Sequence, residues 1–276
     1  MALPVHDSHY DDALGGAVRA ARRGAEIIRE HAGRLDDVRA KGVNDFVTAT
    51  DEAAQGAIVE ALREESDATI IAEEGADLDA HDTTFDGRRW IVDPLDGTTN
   101  FMQQVPPYAV SVALQDGNRI VVGVVLDVTH DELFTAVADH GLQLNGTPVG
   151  VTQTDDFADA FVATGFPYRR FEHTEQYLAV LERVIRNTRG VRRHGSAAID
   201  LARLACGRFD GFFETGLRPW DVAAGTLLVR EGGGRVTDYR DTGGLAPLFD
   251  QQVCATNGRV HQTLLDCVAS MRDVRL

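Results

Sequence analysis

Residues 108–137 limit what this chain can fold into more than any other stretch. Three β-rich segments follow one another there, at 108–115, 119–127 and 132–137. Asp116-Gly117-Asn118 between the first two is a hairpin turn signal. An antiparallel meander therefore sits mid-chain, between blocks of helical periodicity at 11–31 and 50–65 and further helices at 172–187, 197–206 and 219–231. Pro219 suits the start of the last of these, and Gly232-Gly233-Gly234 its stop before a strand. In the block 50–65, Thr50 is the expected N-cap. Short apolar runs at 68–72 and 89–92 end in acids and read as buried strands. Strands are also expected at 161–164, 211–214 and 252–256, a turn at Asn145-Gly146, and a closing helix within 259–271. A simple βαβ alternation does not produce this order. The class is α+β, with α and β in layers. Its 276 residues form a single unit with a soft boundary near residue 150.

Charge narrows the function. The chain carries 27 Lys+Arg against 43 Asp+Glu, a net charge of −16 at pH 7. That balance argues against nucleic-acid and anionic-membrane partners, which need clustered bases. A small anionic substrate remains open where bound cations supply local positive charge. Lys41 is the only lysine, and Asp outnumbers Glu about two to one. Two origins fit: codon usage in a GC-rich genome, or a halophilic cytoplasm in which excess carboxylates keep protein hydrated. Cys206, Cys254 and Cys267 match no zinc or redox spacing and read as small buried hydrophobes in a reducing compartment. The first ten residues show no signal-peptide pattern, and the longest apolar run, 120–126, is far short of the ~20 residues of a membrane span. A soluble cytoplasmic protein is expected.

The chemistry concentrates at Ile91-Val92-Asp93-Pro94-Leu95-Asp96-Gly97-Thr98-Thr99-Asn100-Phe101. A strand delivers Asp93 to its end, Pro94 forces a turn, and Asp96 follows three residues later, so two carboxylates can converge. Gly97-Thr98-Thr99 opens a short helix whose first amides lack intrahelical partners and suit a phosphate. Carboxylates beside a phosphate site repel it unless divalent cations lie between them, and oxygen ligands select Mg²⁺. Glu73-Glu74 after a strand, Asp51 at a helix start and Asp221 after Trp220 repeat the pattern of acids at element ends. No serine, histidine or cysteine sits in a nucleophile setting, so water is the expected nucleophile. Paired metals can clamp its oxygen and the leaving oxygen.

Asp93-Pro-Leu-Asp-Gly-Thr-Thr-Asn-Phe101 and Trp220-Asp-Val-Ala-Ala-Gly225 resemble the two signature motifs of the inositol monophosphatase family. That family shares its superfamily of metal-dependent, lithium-sensitive phosphatases with fructose-1,6-bisphosphatase. The likeness runs on through Asp45-Phe-Val-Thr-Ala-Thr-Asp51, Ile71-Ala-Glu-Glu74, Gly195-Ser-Ala-Ala198 and Phe213-Glu214, and Leu217-Arg-Pro-Trp-Asp221 is most similar to the bacterial branch.

The resemblance implies a layered αβαβα sandwich. Residues 1–150 would carry most metal ligands, and 151–276 the substrate pocket and the last ligand. It implies Mg²⁺ held by Glu73, Asp93, Asp96, Asp221 and the Leu95 carbonyl. Asp51 and Thr98 would activate water, and the Gly97 and Thr98 amides would hold phosphate. Gly195, Ser196, Ala197 and Glu214 would line the pocket. Lys41 matches a lysine near the family's active-site flap, and Glu74 an acid outside the metal ligands. The implied activity is hydrolysis of inositol monophosphate by a homodimer. Fructose 1,6-bisphosphate or another sugar or nucleotide phosphate is the alternative substrate, and a non-catalytic protein of transcription complexes the alternative role. Arg169-Arg170 and Arg192-Arg193 read as solvated or ion-paired surface, with contact to a second phosphate as their functional alternative.

Overall fold

Helix α1 (Ser8–His31) and helix α2 (Ala49–Glu65) pack against each other and flank a small hairpin, β1 (Arg39–Gly42) with β2 (Asp45–Val47). A computed structural model describes residues 8–33, 38–42, 45–75, 85–168 and 171–274. The N-cap of α2 is Thr48, not Thr50. Its hydroxyl accepts from the Thr50 and Asp51 amides, and Asp51 accepts in return from the Thr48 amide. The Thr-x-x-Asp spacing of a capping box explains the shift, because the reciprocal bond is open only to Thr48.

Strand β3 (Thr69–Ala72) runs parallel to β4 (Arg88–Asp96) at one edge of a seven-stranded sheet. It is half-buried rather than buried, as an edge strand with one neighbour must be. Strand β4 does not stop at Asp93. Asp93 pairs with Ser111 and Asp96 with Ala109, so three steps on one strand face two on the other. Pro94 and Leu95 are thus accommodated in a bulge, the place where a sheet tolerates a proline. Helix α3 (Thr98–Met102) follows.

Strands β5 (Ala109–Asp116), β6 (Arg119–Asp127) and β7 (Glu132–Val137) form the expected meander, with Asp116 opposite Arg119 across the turn. The short strands β8 (Leu142–Leu144) and β9 (Thr147–Val149) complete the sheet across the Asn145-Gly146 turn. Strands β5 and β6 are buried nearly end to end, which requires cover on both faces and accounts for their unbroken apolar runs.

A second, five-stranded sheet has the order β11-β10-β12-β14-β13. Its strands are β10 (Phe161–Thr164), β11 (Gly190–Arg192), β12 (Gly211–Thr215), β13 (Arg235–Thr237) and β14 (Gln252–Thr256). Between the sheets lie α5 (Ala197–Ala205) and α6 (Pro219–Glu231), in contact with strands of both. Close approach fixes this middle layer. A Cβ on Gly225 of α6 would meet Leu201 of α5 at 2.6 Å, and one on Gly123 of β6 would meet the Ala224 carbonyl at 3.0 Å. Helix α4 (Thr174–Asn187) and helix α8 (His261–Val268) cover the outer face of the second sheet, while α7 (Ala246–Phe249) packs on β13, β14 and α6. The order helix, sheet, helix, sheet, helix is the α+β layering expected. The three cysteines form no disulfide, with Cys254 and Cys267 buried and Cys206 half-buried. No helix among the described residues is long and apolar enough to cross a membrane. Arg169-Arg170 lie outside the described residues.

Candidate active site

The bulge in β4, the start of α6 and the loop before α5 meet at one point. Carboxylate oxygens of Asp93, Asp96 and Asp221 lie within 4.8 Å of one another. Hydrogen bonds pin each carboxylate. Asp93 Oδ1 accepts from the Leu95 amide at 3.0 Å. Asp96 Oδ2 accepts from Ser196 Oγ and the Ala198 amide, both at 2.7 Å. Asp221 Oδ2 accepts from the Arg218 amide at 2.6 Å, which caps α6. Gathering the three costs electrostatic energy. Burial, then repulsion from Glu73, Asp96 and Asp221, holds the Asp93 carboxyl well above its usual range. Burial carries Asp96 to about 7 against the hydrogen bonds it accepts. A hard divalent cation offsets that repulsion, and the donors are all oxygens, so the residues fit such an ion.

Glu73 stands apart from this trio. It lines the same cavity, but its Oε1 takes a 3.0 Å ion pair from Lys41 Nζ, which also holds Glu74. The chain's one lysine therefore ties the β1–β2 hairpin to the acids after β3. Glu74 is carried to about 7, mainly by burial.

Thr98 Oγ1 donates to Asp51 Oδ1 at 3.0 Å and lies 3.2 Å from the Leu95 carbonyl oxygen. The other Asp51 oxygen is held by Thr48, so the capping box aims Asp51 at Thr98. Burial raises the Asp51 carboxyl. Gly97 has φ +97°, a left-handed turn open to glycine without strain, and it brings α3 against the Pro107 and Gly195 carbonyls. Gly195, Ser196, Ala197 and Glu214 line the same cavity of about 240 Å³. A Cβ on Gly165 would sit 1.8 Å from Glu214 Oε1, so that glycine makes room for the carboxylate.

Sequence reasoning missed several groups here. Asn100 Nδ2 bonds the Pro107 and His194 carbonyls and so ties α3 to the loop before α5. Ser196, expected only as pocket lining, also orients Asp96 together with the Ala198 amide, and Phe166 and Tyr168 join Arg193 in a wall of the cavity. The Thr48-x-x-Asp51 spacing was a usable signal; the other contacts join segments far apart in sequence and left none.

Carboxylates gathered where a hard cation fits, beside a helix start with open amides, place the molecule among metal-dependent phosphatases. The chain belongs to the inositol monophosphatase family, whose model matches residues 9–272. It is 44% identical over 263 residues to the Nus factor SuhB of Escherichia coli K12, covering 94% of this chain and 96% of that protein. The solved suhB protein of Bartonella henselae matches with TM-score 0.85 and 35% identity, covering 93% and 98% of the two chains. An inositol monophosphatase from Anabaena (Nostoc) sp. PCC 7120 matches with TM-score 0.82 and 36% identity, covering 94% and 96%.

A pH effect follows from the raised carboxyls. An acid whose pKa is raised on folding binds its proton more tightly in the folded chain than in the unfolded one. The stability it contributes is complete below the unfolded value near 4 and is lost as pH rises through the folded value, about 7 for Asp96 and Glu74. In EDTA the melting temperature is expected to fall between pH 5 and pH 8, and saturating Mg²⁺ is expected to restore most of it at pH 8. A scan by calorimetry checks this, and a flat or rising profile in EDTA would contradict it.

Proposed function

We propose that the chain is a Mg²⁺-dependent phosphatase that hydrolyses inositol monophosphate with water as nucleophile. The observation that carries this is the convergence of Asp93, Asp96 and Asp221 beside the hydrogen-bonded pair of Thr98 and Asp51. Those three acids and the Leu95 carbonyl would hold Mg²⁺, with Glu73 joining once Lys41 yields it. When bound, the cations would lower the pKa of water and stabilise charge on the phosphoryl and leaving oxygens. Thr98 Oγ1 would accept a proton from the attacking water while passing its own to Asp51 Oδ1. Desolvation of Asp51 favours that transfer, because it raises the affinity of the carboxylate for a proton. The Gly97 and Thr98 amides would orient the phosphate. Gly195, Ser196, Ala197 and Glu214 would receive the polyol.

Glu214 tests the substrate side. A carboxylate beside a phosphate pocket serves polyol hydroxyls as an acceptor. Glu214→Gln is expected to weaken transition-state binding of inositol 1-phosphate by ~1.5–3 kcal/mol, the range for hydrogen bonds to charged groups. p-Nitrophenyl phosphate, which has no hydroxyls to offer, should lose much less. Equal losses on both in steady-state kinetics would assign Glu214 to supporting the acids instead.

Lithium inhibition follows from the family resemblance. Residues 1–276 would act as one catalytic unit in the cytoplasm, with the last ligand, Asp221, supplied by the C-terminal half. A homodimer would find apolar surface on Phe171, Leu178 and Ile185, each more than half exposed and spaced by seven residues. The net charge of −16 supports a high-salt interior. The melting temperature is then expected to rise between 0.1 M and 2 M KCl as self-repulsion is screened. A flat or falling trend would leave codon usage as the explanation.

One observation favours a second reading. The 44% identical relatives are named Nus factors, so this chain would act in a transcription complex, with or without phosphatase activity. Co-purification with RNA polymerase that survives Asp93→Asn would support a non-catalytic role there.

A further inference from the structure

Glu214 is held differently from the carboxylate trio. Among the described residues no hydrogen bond pins its carboxylate, which burial and charges alone perturb, so its place is set by the backbone around it. Glu214 follows Phe213 on β12, and Gly165 follows Thr164 at the end of β10. The ladder between these strands ends at the pair Thr164 and Phe213. Beyond it no sheet bond between β10 and β12 fixes Gly165 against Glu214, yet the two are in close contact. The Glu214 Cδ and both its oxygens lie 1.8–2.3 Å from where a Cβ on residue 165 would stand. Two hydroxyls take over where the ladder stops. Tyr177 Oη donates to the Gly165 carbonyl at 2.6 Å, and Thr164 Oγ1 donates to the Phe213 carbonyl at 2.8 Å. Each hydroxyl has one proton, and these shorter bonds take both, ahead of the 3.1 Å approach of the two oxygens to each other. The Tyr177 ring stands on α4, with its centre 6.0 Å from that of Phe166 and 6.3 Å from that of Phe213. Tyr177 is buried, and burial raises its hydroxyl, so it keeps its proton as a donor.

A buried tyrosine hydroxyl needs a polar partner, and this one finds it in the backbone on which Glu214 rests. Its ring backs Phe166 of the cavity wall on one side and the residue before Glu214 on the other. Hydrogen bonds weaken steeply as their geometry departs from the optimum. A carboxylate resting on a loose backbone would therefore accept poorly from substrate hydroxyls, while the trio, pinned by its own bonds, would be untouched. We propose that Tyr177, together with Thr164, is a positioning residue for the polyol side of the site: it holds Gly165 as the rest for Glu214 and so sets selectivity for hydroxylated phosphate esters. Both side chains act from behind the cavity through Gly165 and Phe213. This rests on the reading of Glu214 as the polyol acceptor. The competing role is packing alone, since Tyr177 belongs to the core between β10, β12, α4 and α8, and a phenylalanine would serve that equally.

The ratio of kcat/KM on inositol 1-phosphate to kcat/KM on p-nitrophenyl phosphate, with Mg²⁺, separates the two roles. Tyr177→Phe keeps the ring and removes the hydroxyl. It is expected to lower the ratio about fivefold, through KM for inositol 1-phosphate, the size of one lost hydrogen bond. Thr164→Val is expected to act in the same direction, and Thr164→Ser, which keeps the hydroxyl, to retain most of the ratio. In a Glu214→Ala background Tyr177→Phe is expected to change the ratio little, because the group it positions is gone. Where Glu214→Ala lowers the ratio, three results overturn this proposal alone: an unchanged ratio in Tyr177→Phe, equal losses on both substrates, or a Tyr177→Phe effect that persists in full without Glu214. A ratio unchanged in Glu214→Ala, or a wild type that does not hydrolyse inositol 1-phosphate, removes the polyol reading and this proposal with it.

Discussion

Asp93→Asn is expected to lose phosphatase activity by ~10³-fold or more, about 4 kcal/mol of transition-state stabilisation, while its metal-free form melts higher than the wild type in EDTA at pH 8. The two effects have opposite signs and one cause. Asp93 is buried and faces repulsion from Glu73, Asp96 and Asp221. Removing its charge relieves the folded protein, yet takes away a ligand that a divalent cation needs. Amide and carboxyl have similar volume, and the Oδ1 that accepts from the Leu95 amide keeps a counterpart in asparagine, so the bulge can persist. A residue kept for structure would behave otherwise, with stability and activity falling together. Retention of more than about a tenth of the activity, less than ~1.4 kcal/mol lost, would take Asp93 out of the metal site.

The second large effect is expected at Asp51→Asn. Asp51 lies in the capping box of α2, with one oxygen held by Thr48 and the other receiving the Thr98 hydroxyl. Asparagine can keep the capping box, since its carbonyl oxygen still accepts from the Thr48 amide. It cannot take a proton from Thr98. Activity is expected to fall ~10²–10⁴-fold, the usual share of general-base catalysis, with KM little changed. The remaining rate should also lose the part of its pH dependence that Asp51 contributes. A variant with near wild-type kcat would mean that Thr98 only orients water and that the proton leaves by another route.

Much of the fold could be read from local chemistry. The β5–β6 hairpin lies where Asp116-Gly117-Asn118 marked it, and α6 spans Pro219–Glu231 between its proline start and glycine stop. In both cases the turn or cap residues act on their own neighbours, so a local pattern suffices. Strands β1, β2, β8, β9 and β11, three or four residues each, gain their identity from distant partners and leave almost no periodicity. Pro94 misled for a related reason. It barred a ladder bond, but whether the strand ended or bulged was decided by β5 alongside.

The acids of the site were legible because they sit at or near element ends or, for Asp93, at a bulge, in a spacing that a core would not need. Their arrangement was not. Lys41 on a hairpin and Glu73 after β3 are 32 residues apart, and only the folded chain shows the ion pair that sets Glu73 beside the trio rather than within it. Arg193 is a similar case. An Arg-Arg pair in sequence is most simply solvated surface, and nothing local marks that Phe166 and Tyr168 come to meet it.

The central claim is that these carboxylates bring a divalent cation to a phosphate monoester. Its most direct test is phosphate release from inositol 1-phosphate by purified protein stripped with EDTA, followed as Mg²⁺ is added back. The account predicts no release above background in EDTA and a saturable rise with Mg²⁺ that Asp93→Asn abolishes. Release that persists undiminished in EDTA, or wild-type protein that stays inactive at every Mg²⁺ concentration, would contradict it.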